Sequence, residues 1–336
     1  MILVTGGTGL VGSHLLYHLS LKNDTIKALH RKNSNLIAVK KVFKYYTNNY
    51  EALFSKIKWV EADITDVCAL EDAFDNITEV YHSAALVSFN PKDYKKMRKI
   101  NIEGTSNIVN FCIEKKVKKL CYVSSIATIE KAVNKTMIDE ECEWSSEKNN
   151  YGYAITKYGA EMEVWRASQE GVPVVIVNPG VIFGVGFWNT GSGAIFSKIH
   201  NGLPFYSEGV TGFVAVKDVV NCMILLMNSK IINQRFLLVA ENKSFKEVFS
   251  EIARCFGKKE PSIKVTPFIG EIGWRLGWLK SLITGKPPVL TKQTAHSINN
   301  KHYYSAQKIS TALNFKFEPV SETLKQICDT YKNENS

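Results

Sequence analysis

With 336 residues, 45% of them hydrophobic and 22% charged, the chain is too apolar for a disordered or collagen-like class and long enough to bury a core without staples. Its seven cysteines, at 68, 112, 121, 142, 222, 255 and 328, are scattered and never spaced Cys-x-x-Cys. That excludes a readable disulfide framework or zinc ribbon and points to a reducing, cytoplasmic setting. Lys+Arg outnumber Asp+Glu by 42 to 32, a net charge of +10 that suits nucleic acid, anionic lipid or a phosphorylated small molecule alike.

Short β-rich runs alternate with longer helical ones through the first half. Strands are expected at 1–5, 25–30, 57–61, 79–83, 118–124 and 173–178, with helices near 10–21, 66–76, 92–115 and 150–170. Such alternation predicts an α/β fold, a doubly wound parallel sheet with right-handed crossovers, over residues 1–180. Basic pairs such as Lys95-Lys96, Arg98-Lys99, Lys115-Lys116 and Lys118-Lys119 fall largely in its helical segments, where solvated faces are the default, so no nucleic-acid partner is expected. The stretch 40–58, rich in Lys and Tyr, reads as a solvated excursion on the surface.

After residue 180, glycines at 184, 186, 191, 193, 202, 209 and 212 break the chain into pieces that read as loops and small elements. Helices are expected at 217–229, 244–256 and 320–332. Residues 181–336 are therefore assigned mostly to a smaller substrate-binding lobe, with about 210–240 returning to the sheet. Within 269–282, Trp274, Leu276, Trp278, Leu279 and Leu282 have amphipathic spacing that favours packing on the lobe over weak attachment to a membrane surface. No stretch has the roughly 18 apolar residues of a membrane span, and no secretory signal precedes Ile2-Leu3-Val4.

The start Ile2-Leu3-Val4-Thr5-Gly6-Gly7-Thr8-Gly9-Leu10-Val11-Gly12 sets a strand, a glycine turn and a helix opening in succession. Glycines let the backbone approach a pyrophosphate, and the helix amides attract its charge, so dinucleotide binding on a Rossmann fold is expected. A phosphate loop would need Gly-Lys-Ser/Thr where Ser13-His14 follows Gly12. His14 and His18 lie one helical turn apart without a third ligand, so no metal is expected. The second strand ends in His30-Arg31-Lys32, with no carboxylate to meet a ribose 2′-hydroxyl; Arg31 suits a 2′-phosphate, which favours NADP(H) and leaves NAD(H) open.

A phenol shuttles protons near neutrality only if a nearby cation stabilises its phenolate, and a lysine four residues on along a helix can supply it. Two Tyr-x-x-x-Lys pairs occur, Tyr153/Lys157 and Tyr304/Lys308. The first opens a helix after the strand ending in Ser124-Ser125, at the carboxyl edge where parallel sheets bind ligands, and is preferred.

These features together resemble the extended short-chain dehydrogenase/reductase superfamily, the NAD-dependent epimerase/dehydratase group. The glycine turn is joined by Asp63-Ile64-Thr65-Asp66, His82-Ser83-Ala84-Ala85, Asn101-Ile102-Glu103-Gly104-Thr105, Val123-Ser124-Ser125, Tyr153-Ala154-Ile155-Thr156-Lys157 and Asn178-Pro179-Gly180, in order across most of the chain. Within the group the chain looks most like the dihydroflavonol-reductase and 3β-hydroxysteroid-dehydrogenase branch. The resemblance implies a triad of Ser125, Tyr153 and Lys157, with Lys157 also gripping the nicotinamide ribose. It further implies Gly6, Gly9, Leu10, Val11 and Gly12 at the pyrophosphate, Arg31 at the 2′-phosphate, Asp63 and Ile64 at the adenine, Ala84 and Ala85 along the ribose, and Pro179 and Ile182 behind the nicotinamide.

Asn101 stands as either a structural cap or a water-holding residue. Val87, Ser88, Phe89, Phe187 and Trp188 are candidate walls for a rather hydrophobic carbonyl or secondary alcohol. Three functions are carried forward: an NAD(P)-dependent oxidoreductase, a nucleotide-sugar epimerase or dehydratase, and a non-catalytic NADP sensor or nucleic-acid-binding protein. Ile126-Ala127 after Ser125, where family dehydratases place Asp-Glu after a threonine, disfavours dehydration. A homodimer is compatible with all three.

Overall fold

The computed structural model describes residues 1–23, 25–130, 136–145, 151–284 and 298–335, without the side chains of Leu276 and residues 278–284. Its main sheet has seven parallel strands: β1 (Ile2–Thr5), β2 (Ile26–His30), β3 (Ile57–Glu61), β4 (Glu79–His82), β5 (Lys119–Val123), β6 (Val174–Pro179) and β10 (Gln234–Leu238). Their order is β10-β6-β5-β4-β1-β2-β3, so the winding reverses between β1 and β4 and opens a crevice at their carboxyl ends. The central strands are continuous apolar runs because both faces are covered; every residue of β5 and β6 is buried.

Helices α1 (Leu10–Ser20), α2 (Leu36–Tyr46) and α9 (Val216–Asn228) cover one face. On the other lie α4 (Val67–Ala73), α6 (Gly104–Glu114) and α7 (Gly152–Gln169). A third core joins Phe183, Phe196, Phe213, Val248, Ile252, Leu324 and Ile327. They come from β7 (Val181–Phe183), α8 (Gly193–His200), β9 (Val210–Ala215), α10 (Phe245–Cys255) and the C-terminal helix Val320–Asn335. Ser244 and Glu247 form a capping box that starts α10.

Several expectations change. The stretch 40–58 is not a solvated excursion: α2 and α3 (Tyr50–Phe54) occupy much of it, with Val42 and Phe43 wholly buried next to Val39. Their spacing makes an apolar stripe that the intervening lysines 40, 41 and 44 conceal from a reading by composition. The glycine-rich stretch after 180 holds an ordered three-stranded sheet, β7 and β9 with β11 (Glu241–Ser244). Gly184, Gly186, Gly191, Gly202 and Gly209 do lie in the turns and loops between these short elements. Gly212 is within β9, and at Gly180 just before β7 a Cβ would stand 2.3 Å from the Gly212 carbonyl oxygen. The single helix expected at 92–115 is α5 (Tyr94–Arg98), a π-turn at Lys99–Glu103, and α6.

In α11 (Pro267–Thr284), Trp274 is half-buried, while the side chains of Leu276, Trp278, Leu279 and Leu282 lie outside the described residues. Among the described residues no helix is long and apolar enough to cross a membrane.

The buried stripe of α2 sets a test. Phe43→Ala should destabilise the protein by about 3–5 kcal/mol in urea unfolding, as large-to-small core changes do. Lys41→Ala should stay within about 0.5 kcal/mol of wild type, as surface changes do; equal small effects at both positions would return the segment to the surface.

Candidate active site

At the crevice, Gly6 leaves β1 with φ +70°, and a Cβ there would lie 2.6 Å from the Ala84 backbone nitrogen. The exit of β1 thus touches the exit of β4 directly. A Cβ on Gly12 would lie 2.1 Å from the Gly6 carbonyl oxygen, which holds α1 against the turn. Gly9 caps α1 without a side-chain acceptor, so the amides of Leu10, Val11 and Gly12 face the crevice without helical partners. Such a cradle fits a diphosphate.

Beside it, the Ser34 hydroxyl accepts from the Arg31 amide at 3.0 Å and lies 3.5 Å from the Thr8 hydroxyl. This brings the exposed Arg31 and Lys32 next to the glycine turn. Asp63 Oδ1 accepts from the Thr65 amide and hydroxyl at 2.9 and 2.8 Å, while the Ile64 carbonyl accepts from Asn107 at 3.0 Å. Pro179 ends β6, and Ile182 pairs with Val214 across β7 and β9.

Helix α7 carries Tyr153, Lys157 and Glu161 at steps of four, hence on one face. Ser125 caps the short turn Ile126–Thr128 after β5, its hydroxyl accepting from the Ala127 amide at 3.1 Å. Lys157, only 1% exposed, donates to the Tyr122 hydroxyl at 2.5 Å and to the Val123 carbonyl at 2.8 Å. Burial pulls its ammonium down to about 7, and Glu161 opposes that pull. Burial pushes the Tyr153 phenol up to about 12, with Ser125 acting against it. The expected lowering of the phenol by Lys157 is therefore not what the chain alone displays: the ammonium is committed to Tyr122 and Val123.

The Phe89 ring lies 6.2 Å from Tyr153 and 5.8 Å from Tyr151, and Val87 beside it is 56% exposed, forming an apolar rim at the phenol. Ser88 donates to Asp93 at 2.6 Å and so shapes the loop. Asn101, delivered by the π-turn, accepts from the Leu86 amide at 2.7 Å and donates to the Leu86 carbonyl and the Thr156 hydroxyl, both at 3.0 Å. It clamps the loop bearing Ala84, Ala85 and Phe89 onto α7. Trp188 is engaged elsewhere: its indole donates to Glu334 at 2.5 Å and its ring meets Tyr331 at 5.1 Å, both on the C-terminal helix. Phe187 immediately precedes it, and its carbonyl oxygen lies 2.1 Å from where a Cβ on Gly193 would stand.

Tyr304 is buried with Ile126, Ile129, Ile138, Leu237 and Val239. It precedes the helix Gln307–Leu313, so the four-residue spacing puts Lys308 on no shared helical face; Lys308 instead donates to the Arg235 carbonyl at 3.1 Å. His14 is paired with the Tyr46 hydroxyl at 2.6 Å and the Val185 carbonyl at 3.2 Å, and no metal-holding cluster occurs among the described residues.

Two roles escaped the sequence reading, that of His82 within its motif and that of Glu161. His82 bridges Thr5 at 2.5 Å and Thr105 at 2.9 Å, joining β1 to α6 beneath the crevice. Glu161 is fully buried and accepts from Ser124, Thr128, Asn178 and Arg235. Continuing the Tyr-x-x-x-Lys pattern by one further turn would have exposed it.

A family model of NAD-binding proteins, described as male sterility protein, matches residues 4–242. The chain belongs to that family, within the extended short-chain dehydrogenase/reductase superfamily. A putative dihydroflavonol 4-reductase from Synechocystis sp. is 25% identical across 98% of this chain and 94% of its own length. Cinnamoyl-CoA reductase 1 of Petunia hybrida is 28% identical across 70% and 72%. The UDP-glucose 4-epimerase of Thermotoga maritima superposes with a TM-score of 0.78 at 20% identity, covering 100% of this chain and 99% of that one, which attests the fold. The chain is accordingly an NAD(P)-dependent oxidoreductase of the extended short-chain type.

Burial holds His82 neutral, with its imidazole pushed down to about 3 and Lys157 adding to the shift. Its folded value lies below the unfolded one, so its contribution to stability is complete above about 6.5 and is lost as pH falls toward 3. Urea unfolding between pH 7 and 4 should show stability falling in wild type and a shallower slope in His82→Asn.

Proposed function

We propose that this chain transfers hydride between NADP(H) and a carbonyl or secondary alcohol through Ser125, Tyr153 and Lys157. One observation carries the reading: α7 carries Tyr153 one turn before Lys157, whose ammonium donates to the Val123 carbonyl at 2.8 Å at the end of β5, where Ser125 follows. Strand β5 lies next in the sheet to β4, whose exit meets the glycine turn. When bound, the nicotinamide supplies or takes the hydride. Ser125 holds the substrate oxygen, Tyr153 gives or takes its proton, and the ammonium of Lys157 stabilises the phenolate left behind. The same lysine contacts the cofactor ribose in this reading. The apolar rim of Val87, Phe89 and Tyr151 supports a hydrophobic substrate.

Gly6, Gly9, Leu10, Val11 and Gly12 would hold the diphosphate, Asp63 and Ile64 the adenine, and Pro179 and Ile182 the nicotinamide. Exposed Arg31, set beside Ser34 and Thr8, supports a 2′-phosphate and hence NADP(H) over NAD(H). Epimerisation shares the scaffold, but Ile126 and Ala127 supply no acidic pair for dehydration.

Two measurements test this. By calorimetry NADPH should bind more tightly than NADH, and Arg31→Ala should weaken NADPH about tenfold, ~1.4 kcal/mol, while leaving NADH unchanged. Equal affinities in wild type would remove the role given to Arg31. In a panel of aldehydes and ketones followed at the NADPH absorbance, Tyr153→Phe should lose roughly 10²–10⁴-fold in kcat, the range for a general acid. Tyr304→Phe should retain turnover, and the reverse pattern would overturn the site.

A further inference from the structure

The carboxylate of Glu161 draws donors from four separate pieces of chain. The Ser124 hydroxyl at the end of β5 lies at 2.5 Å and the Thr128 hydroxyl of the following turn at 2.8 Å. The Asn178 amide at the end of β6 lies at 2.9 Å and the Arg235 guanidinium of β10 at 3.3 Å. The Asn178 amide also lies 3.2 Å from the Ser125 carbonyl, so the same joint sets the backbone that presents the Ser125 hydroxyl. Glu161 is 0% exposed and its partner Arg235 16%, so a merely solvated ion pair is excluded. A charge so buried is tolerated only when paired and hydrogen-bonded, and removal of one partner leaves the others stranded.

We infer that Glu161 is a positioning residue for hydride transfer, fixing Ser125 against Tyr153 and keeping a negative charge one helical turn beyond the Lys157 ammonium. The inference rests on the Ser125–Tyr153–Lys157 reading above. Tyr122 faces Lys157 from β5, His82 from β4, and Tyr153 and Glu161 from its own helix, with Arg235 of β10 beyond Glu161. Burial keeps the imidazole of His82 and the phenols of Tyr122 and Tyr153 uncharged near neutral pH. Glu161 is then the anion among these groups, and it opposes the desolvation that would strip the proton from Lys157.

The experiment reads Lys157 directly, without cofactor. Full-length protein carrying ¹³Cε-lysine is titrated by NMR, the Lys157 resonance being identified by its absence in Lys157→Met. Glu161→Gln should move the Lys157 midpoint down by about one pH unit, and Arg235→Gln should move it up, because the two remove charges of opposite sign. Glu161→Asp should restore most of the midpoint. In carbonyl reduction, Glu161→Gln should lower kcat about tenfold or more with a smaller change in KM, and its alkaline limb should follow the NMR midpoint.

Unmoved midpoints, or shifts of the same sign in both variants, overturn the inference. If Glu161→Gln does not fold, the Arg235→Gln titration decides alone: an upward shift supports the carboxylate's field and no shift removes it. Wild-type turnover in Tyr153→Phe would bring down the triad itself, whereas an inactive Tyr153→Phe beside an unaltered Glu161→Gln profile would bring down this inference only.

Discussion

Lys157 sets an ammonium where water does not reach and burial pulls it down to about 7, so the groups around it decide whether its charge stays. A bare ammonium in an apolar interior would simply give up its proton. Here the hydroxyl of Tyr122 and the carbonyl of Val123 accept its hydrogen bonds, and Glu161 supplies a compensating charge along the same helix. Each of these groups sits on an element whose own position is fixed by the sheet. Strand β5 must lie beside β6 for Ser124 and Asn178 to reach one carboxylate, and β10 must lie beside β6 for Arg235 to complete it. The fold and the electrostatics of the site are therefore one constraint.

The crevice itself follows from the reversal of winding between β1 and β4. Strand exits that diverge leave room for a ligand, and the backbone contact between Gly6 and Ala84 closes the floor of that room. Thr5 strengthens the floor, since its hydroxyl meets His82 at 2.5 Å and the Ala84 amide at 3.3 Å. A chain with any side chain at Gly6 would have to separate the two strands that the ligand must bridge.

Much of this was legible in the residues. The first six strands of the main sheet announce themselves because continuous apolar runs bounded by turn residues have few other uses, and the glycine turn is meaningful because a strand precedes it and a helix follows. Helix α2 was hidden by Lys40, Lys41 and Lys44, of which Lys41 and Lys44 are exposed on either side of the buried Val42 and Phe43. Most glycines after residue 180 do mark turns, but a sequence cannot say that Gly180 makes space for the backbone at Gly212. The spacing of four beyond Lys157 marks Glu161 in the sequence, but its significance comes from four donors that meet only once the strand order is known. The pair Tyr304/Lys308 shows the converse, a correct spacing emptied of meaning by a helix that begins at Gln307.

The seventh strand has a bearing on how the protein comes to exist. Strand β10 enters the sheet from beyond residue 233, after the β7–β9 excursion, and pairs in parallel with β6. During synthesis the outer edge of β6 is therefore left open while about sixty further residues emerge, a few seconds at ordinary elongation rates. An unpaired edge of Val-Val-Ile-Val is the kind of template that recruits strands from other chains. The nascent polypeptide thus passes through an interval in which that edge is open to strands of neighbouring chains until β10 covers it.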